Sequence, residues 1–269
     1  MEEKKVLVKN LEVNYKVFGQ GRPMLILHGW GSSSDKWEKV AELLEQQYIR
    51  VFVPDLPGFG KSQESTSAWN LDNYVEWVRE FSEKIPELNN SFYLLGHSFG
   101  GAIASKFTIK YNQKVQKLFL IASACVRKYT VVRKIWYRIA KIIKVLSFLP
   151  GYELFRKAAY RFVLRKSDYP YVSGNMKETY LRIISEDLSY KINFVKVPTI
   201  LIWGDKDEST PLDQGRFIQS RISRSVLHII PGADHSLHIK MPEVLAQKIL
   251  EHLPRPAYHE SLLSLKNII

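Results

Sequence analysis

The chain has 269 residues, 45% of them hydrophobic, which is long enough for one large domain with a substantial core. Its single cysteine, Cys125, excludes an intramolecular disulfide, and no apolar run approaches the length of about 20 residues that spans a bilayer. The net charge is +12, but residues 125–166 hold twelve Lys and Arg residues against Glu153 alone, so the excess charge belongs to one segment and argues against a nucleic-acid partner.

Short apolar runs that end in glycine, proline, aspartate or serine recur along the chain. Such runs are typical of strands buried on both faces of a parallel sheet. Two alternating segments come first and predict a hairpin on the sheet edge, and six buried strands follow: Lys5–Val8, Glu12–Phe18, then Met24–Leu27, Val51–Val53, Phe92–Leu95, Leu118–Ile121, Thr199–Trp203 and Val226–Ile230. Helical stretches lie between the strands, near 35–47, 71–85, 99–111, 212–221 and 242–253. Alternating strands and helices predict an α/β fold with a mostly parallel, doubly wound sheet.

The alternation of strands and helices stops between residues 125 and 190. This segment is rich in tyrosine and basic residues and is predicted to contain helices only. We interpret residues 125–190 as a helical cap inserted after the sixth strand, with residues 1–124 and 191–269 forming the core. Within the cap, Val131–Phe148 predicts a basic amphipathic helix, with apolar residues on one side and Lys and Arg on another.

Residues 96–100 read Gly-His-Ser-Phe-Gly between a predicted strand and a predicted helix. A strand, a sharp Gly-x-Ser-x-Gly turn and a helix are the context of a nucleophile elbow, in which the serine hydroxyl is exposed above the end of the sheet. Ser98 is therefore the candidate nucleophile. The alternative is a glycine-rich connection in which the serine has no chemical role.

A serine nucleophile requires a base and an acid that orients the base. His235 follows the last predicted strand and is the candidate base, with His238 as its rival. Asp207 follows the preceding strand and is the candidate acid, although two other acidic residues, Asp205 and Glu208, compete with it. The chain order of serine, acid and histidine suits this fold class, and Asp205 is equally suited to capping its own turn.

The backbone N–H groups of Trp30 and Phe99 are the candidate oxyanion hole, because Trp30 lies in the segment that follows the strand Met24–Leu27 and Phe99 directly follows Ser98 in the elbow. Acyl transfer by a serine needs no cofactor, and the sequence has no cysteine–histidine cluster that would hold a zinc ion. We therefore expect neither a cofactor nor a metal.

The chain resembles the α/β-hydrolase-fold serine hydrolases over nearly its whole length. The resemblance is carried by five segments: His-Gly-Trp-Gly at 28–31, Asp-Leu-Pro-Gly-Phe-Gly-Lys-Ser at 55–62, the elbow at 96–101, Gly-Asp-Lys-Asp at 204–207 and Pro-Gly-Ala-Asp-His at 231–235. It implies a helical cap between strands six and seven, and an acid three residues after Gly204, which is Asp207. Relatives that use aspartate at the elbow, the haloalkane dehalogenases and epoxide hydrolases, are excluded by Ser98. The chain departs from the family at Asp234, where glycine often precedes the catalytic histidine.

Since the sequence has neither an apolar signal core nor a membrane-spanning run, we expect a cytoplasmic protein. The resemblance implies a carboxylic ester hydrolase that acts on small or medium acyl chains. A carbon–carbon bond hydrolase or a perhydrolase would use the same triad, and a non-catalytic receptor with this fold is a further alternative. The motifs at 28–31 and 55–60 are also similar to those of the carrier-protein methyl ester esterases of biotin synthesis. This similarity implies that the basic cap could dock an acidic carrier protein. The chain departs from these esterases at the elbow, where His97 and Phe99 replace the usual tryptophan and leucine. An anionic membrane surface or a merely solvated basic face are the alternatives.

Overall fold

The computed structural model describes residues 1–126 and 174–254. Eight strands form one sheet: β1 (Glu2–Val8), β2 (Leu11–Phe18), β3 (Arg22–Leu27), β4 (Ile49–Pro54), β5 (Phe92–His97), β6 (Val115–Ile121), β7 (Thr199–Gly204) and β8 (Ser225–Ile230). The α-helices of the described ranges are α1 (Glu38–Glu45), α2 (Leu71–Lys84), α3 (Phe99–Lys110), α4 (Gly174–Ser185), α5 (Leu212–Arg221), α6 (Leu237–Lys240) and α7 (Pro242–Leu250).

The strands lie in the order β1-β2-β4-β3-β5-β6-β7-β8. Strands β3 to β8 pair in parallel, whereas β1 and β2 form an antiparallel hairpin that joins the edge through an antiparallel β2–β4 pair. This arrangement confirms the predicted doubly wound sheet and its edge hairpin.

Helices cover both faces of the sheet, which explains why the apolar run of β3 is continuous. Met24 and Ile26 belong to the hydrophobic cluster beneath α1 and α7, whereas Leu25 and Leu27 belong to the cluster beneath α2, α3 and α5. Because successive side chains of a strand point to opposite faces, a strand covered on both faces must be apolar at every position.

The carboxyl ends of β3 and β5 define the place where a functional site is expected. The chain leaves β3 for β4 on one side and leaves β5 for β6 on the other, so the two connections diverge. Open α/β sheets bind ligands in the crevice at such a switch point.

The segment predicted as a cap is described only in part. Helix α4 lies within this segment, as the prediction of helices only requires. The hydroxyl of Thr179 in α4 accepts a hydrogen bond of 2.8 Å from the Trp69 N–H of the core. The basic helix predicted at Val131–Phe148 lies outside the described residues. The division into core and cap therefore stays a prediction.

Candidate active site

A sharp turn joins β5 to α3 and presents Ser98 at the carboxyl end of the sheet. Ser98 has φ 51° and ψ −114°, a conformation that L-residues rarely adopt and that typically costs about 1–3 kcal/mol. Its N–H is held by the Ile121 carbonyl at 3.0 Å. A Cβ atom on Gly100 would lie 2.1 Å from the Leu27 carbonyl oxygen, so only glycine lets α3 approach β3 this closely.

His235 lies in the loop after β8 and faces the serine. Its Nε2 is 3.0 Å from the Ser98 Oγ, which is hydrogen-bonding distance. The His235 side chain is 25% exposed, so it remains partly accessible to solvent. The structure thus brings the predicted nucleophile and the predicted base together.

Asp207 completes a hydrogen-bonded series with the same ring. Its Oδ2 is 2.8 Å from His235 Nδ1, and the carboxylate is fully buried. The backbone N–H groups of Ser209 and Thr210 donate to its Oδ1 at 2.9 and 2.8 Å. These donors stabilise the charged carboxylate and fix its orientation.

Thr210 is a member of this network that sequence reasoning missed. Its hydroxyl lies 2.9 Å from Asp207 Oδ2, 3.1 Å from the Ala122 carbonyl and 3.3 Å from His235 Nδ1. The only sequence signal is the three-residue spacing from Asp207, which suits a carboxylate that accepts from the following turn. Thr210 thereby ties the acid to the end of β6.

The other acidic candidates of this loop lie elsewhere. Asp205 is exposed, and its Oδ1 accepts a hydrogen bond of 2.8 Å from the Gly232 N–H. It therefore joins the acid loop to the loop of the histidine, rather than capping only its own turn. Glu208 is exposed as well.

Asp234, which precedes His235 where the sequence pattern often has glycine, is turned toward Lys240. It forms an ion pair with that side chain and accepts 2.8 Å from the Ser236 N–H. The Lys240 hydrogen bond is the main reason that the pKa of Asp234 is lowered, with the Ser236 N–H next. The carboxylate is thus held by the start of α6 and by a lysine one turn on.

The backbone of Trp30 lies in the loop after β3, and that of Phe99 begins α3. The first N–H groups of a helix have no acceptor within the helix, so the Phe99 N–H is available. Within the described ranges no acceptor contacts either N–H. Both residues line the same cavity as Ser98.

His28 fixes the loop that carries Trp30. Its Nδ1 donates to the Gly29 carbonyl at 2.7 Å, and its Nε2 accepts from the Leu56 N–H at 2.9 Å. Burial lowers the pKa of His28 to about 4, so the ring is neutral and can play both roles. His28 is therefore structural, not a rival base.

His97 packs against the rings of His235 and His238, with ring centroids 4.9 and 4.4 Å apart. The Nε2 of His97 donates to the backbone carbonyl of His235 at 3.0 Å, so the residue before the candidate nucleophile also holds the candidate base. His238 stacks on Trp37 with ring centroids 4.6 Å apart. Burial lowers the pKa of His97 well below its usual range and that of His238 to about 4. His238 is thus a buried neutral ring, and the structure favours His235 over it.

A cavity of about 460 Å³ opens above Ser98. The apolar wall, named for the kind of side chain and not for its direction, comprises Trp30, Phe99, Ala102, Ala124, Tyr180, Ile183 and Ile184. The polar wall, named likewise for its side chains, comprises Ser32, Lys36, Ser236 and His238. The lining can contact both an apolar part and a polar part of a ligand.

Among the described residues, no group of three or more His, Cys, Asp or Glu side chains could hold a metal ion. In the same part of the chain, no helix is long and apolar enough to cross a membrane.

A sequence model of the α/β-hydrolase fold family matches residues 22–143. The solved structure of a membrane phospholipase A, described as a bacterial virulence factor, superimposes with a TM-score of 0.73 over 93% of this chain and 84% of its own, at 23% identity. The chain has the α/β-hydrolase fold.

Two relatives are similar to this chain in sequence over most of its length. The pimeloyl-[acyl-carrier protein] methyl ester esterase of Nitrosomonas europaea is 25% identical over 86% of this chain and 95% of its own. The 2-hydroxy-6-oxo-6-(2'-aminophenyl)hexa-2,4-dienoic acid hydrolase of Metapseudomonas resinovorans is 24% identical over 95% and 92%. The relatives are thus hydrolases with different substrates.

Proposed function

We propose that the protein is a serine hydrolase that cleaves carboxylic esters through an acyl-enzyme intermediate. The observation that carries this proposal is the hydrogen-bonded series from Ser98 Oγ to His235 and on to Asp207, at 3.0 and 2.8 Å. A series of this kind converts a neutral hydroxyl into a nucleophile because each group is within reach of the proton it must accept or hold.

In the proposed reaction, His235 Nε2 accepts the Ser98 proton as the Oγ attacks the ester carbonyl. The N–H groups of Trp30 and Phe99 donate to the oxyanion that forms; losing one such donor typically costs about 3 kcal/mol of transition-state stabilisation. His235 then protonates the departing alcohol. Water, activated by the same imidazole, hydrolyses the acyl-enzyme and regenerates Ser98.

Asp207 keeps the base in the required state throughout. Because its buried Oδ2 accepts the His235 Nδ1–H, the proton-accepting lone pair is left on Nε2, toward Ser98. The same carboxylate stabilises the imidazolium that forms after proton transfer. The proposed chemistry requires no metal or cofactor.

The apolar wall supports an aliphatic acyl group of small or medium size. Trp30 packs on Phe99 and Tyr180, with ring centroids 5.5 and 5.1 Å apart, and so forms a continuous apolar surface beside the serine. The cavity volume of about 460 Å³ lies within the usual range of small-molecule sites.

A second candidate is hydrolysis of an acyl group carried by an acidic carrier protein. The Nitrosomonas europaea relative supports it, together with the basic residues that the sequence places between 125 and 166. We predict that the carrier-bound methyl ester is then hydrolysed faster than the free ester at low salt only, and that charge reversal at Lys134, Arg138 and Lys141 removes this advantage. Equal rates for both esters would contradict carrier docking.

A panel of p-nitrophenyl esters of increasing acyl length tests the main proposal. We expect turnover that peaks at a short or medium chain and falls to the uncatalysed rate in Ser98→Ala. A preference for carbon–carbon substrates such as vinylogous diketones, with ester turnover near background, would favour the reaction of the Metapseudomonas resinovorans relative instead. Absence of turnover on esters, thioesters, lactones and diketones would favour a non-catalytic role. The expected cytoplasmic location stays a prediction, which cell fractionation tests.

A further inference from the structure

The polar wall contains a cation at Lys36, whose ordinary partners are occupied. Lys36 lies next to Asp35 and close in sequence to Glu38, but both carboxylates pair with the buried Lys16. Asp234 pairs with Lys240. No ion pair or hydrogen bond of the Lys36 side chain exists within the described ranges, and no aspartate or glutamate of those ranges lines the cavity.

The backbone that carries the exposed Lys36 is held in place by packing. The short 3₁₀ helix Ser34–Trp37 carries it, and Trp37 is fully buried and stacks on His238 of α6 at 4.6 Å. Lys36 lines the cavity together with the hydroxyl-bearing residues Ser32 and Ser236. An ammonium group with neighbouring hydroxyls is a favourable partner for a carboxylate or a phosphate oxygen.

We propose that Lys36 binds an anionic group of the substrate, a carboxylate or a phosphate, while the apolar part of the substrate packs on the apolar wall. This inference rests on the proposed ester hydrolysis and assigns its substrate class: an ester with one apolar part and one anionic part. Lys36, Ser98 and the apolar wall all line the same cavity, so one ligand can contact all three.

The expected size of the effect follows from the exposure of Lys36. A hydrogen bond to a charged group is worth more than a neutral one, but an exposed ion pair is screened by water and salt, so a preference of about threefold to tenfold in kcat/KM is expected. The preference should shrink as the salt concentration rises, because screening weakens it.

Two pairs of esters, matched except for charge, test the proposal and locate the anion. The first pair places the carboxylate on the acyl group: mono-p-nitrophenyl glutarate against p-nitrophenyl pentanoate. The second places it on the alcohol: 4-(carboxymethyl)phenyl butyrate against its carboxamide. Wild type should prefer the anionic ester of at least one pair, Lys36→Met should lose that preference, and Lys36→Glu should reverse it.

Lys39→Met is the matched control, since Lys39 is an exposed lysine of α1 that does not line the cavity. It should keep the wild-type preference, and normal turnover of neutral esters by Lys36→Met shows that this variant folds. Equal losses on charged and neutral esters, or no charge preference in either pair, would overturn the role of Lys36. Failure of wild type to hydrolyse even the neutral esters would instead overturn the proposed function.

Discussion

Replacing Asp207 by asparagine should abolish activity through the tautomer of His235. The Asp207 Oδ1 accepts from two backbone N–H groups, at 2.9 and 2.8 Å, so the new amide nitrogen cannot take that place without facing two donors. It must take the place of Oδ2, where it faces His235 Nδ1. The Thr210 hydroxyl can adapt, because it also reaches the Ala122 carbonyl at 3.1 Å.

The consequence is a base with its proton on the wrong nitrogen. An amide N–H that donates to His235 Nδ1 leaves the ring proton on Nε2, the nitrogen that faces Ser98. A protonated Nε2 has no free lone pair, so it cannot accept the hydroxyl proton. Loss of the correct tautomer in a serine triad costs on the order of 10⁴ in kcat, which corresponds to about 5 kcal/mol of barrier. The KM should change little, since the buried Asp207 does not line the cavity.

The assay is kcat for p-nitrophenyl butyrate, with thermal melts to show that each variant folds. Asp205→Asn is the control, because an asparagine carbonyl can still accept from the Gly232 N–H. We expect this control to stay within about threefold of wild type. A kcat of Asp207→Asn within tenfold of wild type, or an equal loss in Asp205→Asn, would refute the assignment of the acid.

Three further predictions test the packing around the site. Gly100→Ala should lower the free energy of unfolding by more than about 3 kcal/mol, because its Cβ would lie 2.1 Å from the Leu27 carbonyl oxygen; a loss below about 1 kcal/mol in urea melts would contradict this. Burial lowers the pKa of His238 from 6.5 to about 4, so on acidification the unfolded chain binds the proton before the folded chain does. The neutral ring therefore contributes about 3 kcal/mol to the free energy of unfolding, a contribution that is full above pH 6.5 and is lost as the pH falls toward 4. Urea melts should show a shallower loss over that window in His238→Phe, and identical slopes would count against it. His97→Ala removes the donor to the His235 carbonyl, so kcat should fall about tenfold and recover in His97→Gln, whereas an unchanged kcat would show that the contact does not position the base.

The strands and the elbow were predictable from the sequence because their signals are local. A strand covered on both faces must be apolar throughout, and the runs at Met24–Leu27 and Phe92–Leu95 lie within β3 and β5. The glycines around Ser98 mark a turn in which backbones approach closely, as Gly100 does. The structure extends the edge hairpin to Glu2–Val8 and Leu11–Phe18, since pairing continues where the apolar pattern weakens.

The contacts of the site were less predictable because they form between loops that are distant in sequence. The hydrogen bond from His97 to the His235 carbonyl joins residues 138 positions apart, and no sequence periodicity indicates it. The same holds for Asp205, which reaches Gly232 of the neighbouring loop. Helix α2 lies within the predicted stretch near 71–85, but its cap was not identified from the sequence: Asn70 accepts a hydrogen bond from the Asn73 N–H at 3.0 Å.

Labelling with a fluorophosphonate, followed by peptide mass spectrometry, tests the central claim most directly. The reagent phosphonylates an activated serine, so the account predicts one added phosphonyl group on the peptide that contains Ser98. Labelling should vanish in Ser98→Ala and slow by orders of magnitude in His235→Ala, since the base within 3.0 Å of the Oγ is then missing. Modification at another residue, or equal labelling of wild type and Ser98→Ala, would contradict Ser98 as the nucleophile.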